Sequence, residues 1–135
     1  MGAWGVENFD NDAAMDWIGD FVDAPLPDTL DAALRSIVES SGAEEMQNCE
    51  EALAAAEVVA ALNDQPSAAL PDDAKQLLAQ FPVRATKELL QLATDAVALI
   101  VAASELQELW DESEHLDAWL EVQTSLLERL GGADQ

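Results

Sequence analysis

The sequence predicts an all-α protein, a compact single-domain bundle of five to six helices. Three observations carry this. Hydrophobic residues make up 50% of the 135 residues, enough for one core. Apolar positions recur at helical spacing with no hairpin signal. The five prolines fall in short breaks between those periodic stretches. The domain is expected over residues 1–131, with 132–135 a frayed tail.

The first helix is expected to start near Asp10 to Asp12, where several side chains could cap it. Ala14, Trp17, Ile18 and Phe21 form its buried face, and the Pro25–Pro27 break ends it. The second starts at Asp28, carries Leu30, Ala33, Leu34, Ile37 and Val38 on one stripe, and stops at Ser40-Ser41-Gly42. For the third, Asn48 is the expected N-cap, with Glu51 three residues later as in a capping box. Its run from Ala52 to Leu62 is apolar almost all round, which predicts a central helix; Asn63 to Pro66 closes it. A short helix follows Pro71-Asp72, with Leu77, Leu78 and Phe81 apolar and Pro82 as breaker. The next runs from about Val83 to Ala103, with an extension to Trp110 allowed by the pattern. The last is expected from Ser113, with Leu116, Trp119, Leu120, Gln123, Leu126, Leu127 and Leu130 on one seam and Gly131 as its C-terminal cap.

The charge balance is extreme: 28 acids against 5 bases, a net charge of −23. Direct binding to nucleic-acid phosphates or to an anionic membrane surface is disfavoured, since both need a basic footprint. No apolar run approaches the ~20 residues of a membrane span. The N-terminus lacks the pattern of a secretory signal, and Val6 stands where myristoylation requires Ser or Thr. A single cysteine, Cys49, fits a reduced, cytoplasmic thiol.

Trp4-Gly5, Phe9-x-Asn11-Asp12 and Ala14-x-Asp16-Trp17 together resemble the opening signature of the bacterial domain of unknown function 4259 family. Two further blocks carry the resemblance, from Cys49 to Leu62 and from Ser104 to Ser113, the latter followed by Trp119 and Leu130. The resemblance implies a small bacterial α-helical protein and transfers no catalytic role.

Candidate functional residues follow from burial and charge. Asp12 and Asp16 stand at i, i+4 on one helix face, as a carboxylate pair for a cation or as a helix-start acid beside a solvated one. Glu57 sits on the otherwise apolar third helix, so it must find a partner or a proton. Arg84 and Lys87, placed by the periodicity in the first turn of a long helix, are the expected partners. Glu105-x-x-Glu108 and Glu114-x-x-Asp117 are spaced too closely to face each other from antiparallel helices. Trp4 is expected to lie over the first helix, with Trp17 and Trp119 in the core; Trp110 completes the candidate pocket with Trp4, Asp12, Asp16, Trp17, Glu57 and Glu105. His115 reads as a surface residue and Cys49 as a small packing residue.

The leading functional expectation is a non-enzymatic acidic protein of the inhibitor or immunity type that binds a basic protein partner. The alternative is a hydrolase holding magnesium or manganese between Asp12, Asp16, Glu57 and Glu105, which requires at least three of these carboxylates to converge. No cofactor is required by the sequence, and a divalent cation is compatible with it. Monomer and homodimer are equally compatible.

Overall fold

The computed structural model describes residues 5–25, 27–40, 46–80, 84–102 and 104–131, the Met46 side chain excepted. These residues form seven helices: α1 (Asp12–Asp23), α2 (Pro27–Glu39), α3 (Met46–Leu62), α4 (Asp72–Ala79), α5 (Lys87–Ala102), α6 (Glu105–Asp111) and α7 (Leu116–Arg129). No strand forms among the described residues. The C-terminal residues 132–135 lie outside them.

The axis of the bundle is α3. Every residue from Ala52 to Ala60 is buried, and the helix touches α1, α2, α4, α5, α6 and α7. Alanine dominates this run, so neighbouring helices can approach the backbone closely. Flanking helices each contribute a stripe: Ala14, Ile18 and Phe21 from α1, Leu30, Leu34 and Ile37 from α2, Ala93, Ala96, Val97 and Ile100 from α5. Trp119, Gln123 and Leu126 come from α7. Trp17 is half-buried and stacks on Phe21, with ring centroids 5.6 Å apart. Trp110 stacks in the same way on the buried Trp119, at 6.4 Å.

The helix boundaries correct the sequence expectation at four places, each through a local hydrogen bond. The helix expected to end at Ala103 does stop there, at Ala102, and the allowed extension to Trp110 is a separate helix, α6, which raises the count above five to six. Ser104 makes the break: its hydroxyl donates to the Ile100 carbonyl (2.7 Å) and accepts from Gln107 N–H (3.0 Å), so one side chain closes α5 and caps α6. The start at Val83 also moves, because Thr86 Oγ1 accepts from Leu89 N–H (3.1 Å) and α5 begins at Lys87. Ser113 does not open the last helix. Its hydroxyl donates to Trp110 O and accepts from His115 N–H, closing the turn after α6, and α7 begins at Leu116. Finally, α3 begins at Met46, placing Asn48 inside its first turn; the Glu51 carboxylate accepts from Gln47 Nε2 (3.3 Å).

Other signals act as expected. Asn11 caps α1, its Oδ1 accepting from Ala14 N–H at 2.7 Å. Pro27 occupies the first position of α2, where its missing N–H costs nothing. Gly131 follows α7 at φ +89, the left-handed conformation that glycine adopts without a Cβ penalty. No single helix among the described residues is long and apolar enough to cross a membrane. The α5–α6 pair reaches that length together, but is bent by 46° at the break.

Candidate functional site

Two acidic residues of α3, Glu50 and Glu57, organise the polar chemistry of the molecule. They stand seven residues apart, two helical turns, and therefore on one face. The chain segment that leads into α1 runs along that face, so Asn8 lies beside Glu57 and Asp12 beside Glu50.

Glu57 is 1% exposed and fully engaged. Arg129 grips it with two bonds, Nη1 to Oε1 at 2.8 Å and Nη2 to Oε2 at 3.2 Å. Asn8 Nδ2 donates to Oε2 at 2.8 Å. Asn8 and Gln123 pair amide to amide, Gln123 Nε2 to Asn8 Oδ1 at 2.7 Å and Asn8 Nδ2 to Gln123 Oε1 at 3.1 Å. Arg129 is steadied in turn by Ser125 Oγ (3.2 Å) and the Gln65 carbonyl (3.3 Å). Among the described residues no buried side-chain polar atom lacks a partner. The network joins the N-terminal segment, the core helix and α7, and both Glu57 oxygens accept hydrogen bonds within it.

The expected partners of Glu57 were the wrong ones. Arg84 precedes α5 and pairs instead with Asp64 at 2.7 Å, both side chains exposed. Lys87 is exposed at the first position of α5. The partner is Arg129, in the last turn of α7, where the helix dipole favours a cation. Asn8, Gln123 and Arg129 were not anticipated. One signal was present: Gln123, like Glu57, interrupts an apolar seam, and two such interruptions can satisfy each other.

Beside this network, Arg129 also lines an open cleft of about 520 Å³ together with Glu7 and Glu121. Burial, the nearby Glu57 carboxylate and then Asp10 push the Glu7 carboxyl above its ordinary value, while Arg129 pulls it down. Asp10 holds the turn before α1, accepting from Glu7 N–H at 3.2 Å. Gly5 lies against that carboxylate so closely that a Cβ there would collide with it.

Glu50 has the opposite surroundings. It is 8% exposed, and no hydrogen-bond donor or cation among the described residues meets its carboxylate, whose oxygens keep contact with solvent. Burial, Asp12 and Glu51 raise its proton affinity, in that order. Next to it lies the outer face of α1. Asp12, Asp16, Asp20 and Asp23 are all exposed there, within about 80° of arc at 3.6 residues per turn. Ion pairs among the described residues engage Asp31, Asp64 and Glu57, and none reaches this face. Met15, the exposed large hydrophobic residue of the described chain, is three residues from Asp12 on its border.

The remaining candidates have surroundings of their own. Trp17 faces Phe21, Trp110 faces Trp119, and Glu105 is exposed in the first turn of α6. Trp4 lies outside the described residues. Glu108, Glu114, Asp117 and His115 are exposed, and Cys49 is buried. Asp12, Asp16, Glu57 and Glu105 do not converge: no group of three His, Cys, Asp or Glu side chains among the described residues is arranged to hold a metal ion.

No curated protein and no solved structure matches the chain. A family model described as Domain of unknown function (DUF4259) matches residues 2–122. That span includes Asn8, the α1 face, Glu50 and Glu57, and ends just before Gln123 and Arg129. With 121 of its 135 residues (2 to 122 inclusive) covered, the chain belongs to the DUF4259 family.

Proposed function

We propose that this protein is a non-enzymatic binding protein whose outer α1 face docks a basic protein, acting as an inhibitor or immunity-type partner of a basic toxin or nucleic-acid enzyme. The observation that carries the reading is Glu50, a largely buried residue whose carboxylate meets no counter-charge, beside the exposed line of Asp12, Asp16, Asp20 and Asp23. Folding has buried most of Glu50 without supplying a counter-charge, and its carboxylate oxygens keep contact with solvent. An arginine or lysine from a partner would supply it, and would relieve the mutual repulsion of Glu50, Asp12 and Glu51. Asp12, Asp16 and Asp20 repeat about every 6 Å along the axis, four residues at 1.5 Å each. Such a row suits a basic groove, and Met15 offers a polarizable apolar contact at its edge.

The test compares two variants of equal charge change against a lysine-rich peptide. One converts Asp12, Asp16, Asp20 and Asp23 to Asn. The other converts the exposed Glu112, Glu114, Asp117 and Glu121 to their amides. The reading expects the α1 variant to lose at least tenfold in affinity and most of its salt dependence, with a much smaller loss in the control. Equal losses would reduce the acidity to a general surface property and end the proposal.

A further inference from the structure

We infer that the cleft at the C-terminal end of α3 is a binding site for a small organic anion with an apolar body, such as an aryl-alkyl monocarboxylate. The cleft encloses about 420 Å³, within the range of small-molecule sites. Its lining mixes polar and apolar surface, with Leu62, Leu70 and Leu78 as the large apolar side chains. Two of the five cations of the whole chain, Lys75 and Arg84, line it together with one acid, Asp64. The described lining carries one more cation than acid, whereas the chain as a whole carries −23, so this cleft opposes an anion less than the rest of the surface does.

The residue that holds Arg84 in place adds a second reason. Asp64 follows α3 in the left-handed conformation, φ 63. Its N–H donates to Ala61 O (3.0 Å) and that of Gln65 to Ala60 O (2.9 Å), the paired bonds of a helix-ending motif whose left-handed position favours glycine. An aspartate there is a less comfortable choice, and its carboxylate has one visible employment: it binds Arg84 Nη2 at 2.7 Å on the rim of the cleft. Lys75 reaches the Ala68 carbonyl with one ammonium proton, at 3.4 Å, which leaves two donors for a ligand. A carboxylate received by Lys75 and Arg84 would lay its hydrocarbon or aromatic body on the leucine wall. The positive pair then selects the head group, and the wall supplies most of the attraction.

This inference is independent of the α1 docking face. Titration with 4-phenylbutyrate, followed by amide chemical shifts in NMR, tests it, with the neutral 4-phenylbutanamide as the matched control. The carboxylate is expected to bind at least tenfold more tightly than the amide, with shifts centred on Leu62, Leu70 and Leu78. In the Lys75→Met/Arg84→Met variant, whose fold is checked by its melting curve, that preference is expected to disappear while weak binding of the amide persists. Equal binding of acid and amide to the native protein would overturn the proposal. So would shifts centred elsewhere, or no saturation at millimolar phenylbutyrate.

Discussion

Glu57 and Glu50 are the same residue type, on the same face of the same helix, two turns apart, and both are buried. They differ in what the rest of the chain brings to them. Glu57 receives a guanidinium and an amide. Glu50 receives two further carboxyl groups, Asp12 and Glu51. The first acid is therefore a structural tie, and the second sits among like charges that, with burial, raise its proton affinity. A buried acid has no fixed meaning; its neighbours decide whether it ties the protein together or is left among like charges.

The strongest way to break this contrast is to turn Glu57 into a second Glu50. Arg129→Ala leaves a buried, uncompensated carboxylate, and is expected to lower unfolding free energy by about 3–5 kcal/mol in urea denaturation. The combined Glu57→Leu/Arg129→Met variant removes both charges and should recover most of that. It retains a deficit of about 1–3 kcal/mol, because one N–H of Asn8 then lacks its acceptor. If the double variant is as damaged as the single, the ion pair itself, rather than the orphaned charge, supports the fold. Next in size, Gln123→Leu removes the amide that pairs with Asn8 while keeping the volume. A cost of about 1–3 kcal/mol is expected for the stranded polar groups.

Substitutions at the other acid should run the opposite way. Glu50 has its folded-state proton affinity raised above the ordinary 4.5, so the folded chain holds this proton more tightly than the unfolded chain. Stability from this group is fully present below pH 4.5 and is lost as pH rises through its folded value. Glu50→Gln should therefore stabilise the protein at pH 7, and its advantage should vanish below pH 4.5 in parallel melts. A destabilised Glu50→Gln at neutral pH would show that this carboxylate has a favourable partner. Asp12→Asn should act in the same direction with a smaller effect, since Asp12 is one contributor to the shift and burial is the larger one.

Much of the fold was legible along the chain. The apolar stripes of α1, α2, α5 and α7, the all-round apolar α3, and the caps at Asn11 and Gly131 depend on neighbours within a few residues, and local spacing reports such neighbours directly. Errors arose where one serine had two plausible local bonds. Ser104 divides α5 from α6 because its hydroxyl serves both helices, and Ser113 closes a turn where a cap was expected. Periodicity continues smoothly through both positions and contains no record of that choice.

For the candidate site, the sequence by itself determined that Glu57 must be compensated, that Asp12 and Asp16 share an outward face, and that five bases cannot neutralise 28 acids. Those are statements of composition and helical spacing. Only the tertiary structure decided that Arg129, 72 residues away, is the compensating charge, that Gln123 completes the pair with Asn8, and that Glu50 is buried without a counter-ion. The physical reason is range: hydrophobic spacing acts over a few residues of one helix, whereas the pairing of buried charges depends on which helices meet and in what register. That register is set by the packing of whole side-chain stripes around α3, and no short segment of the chain contains it.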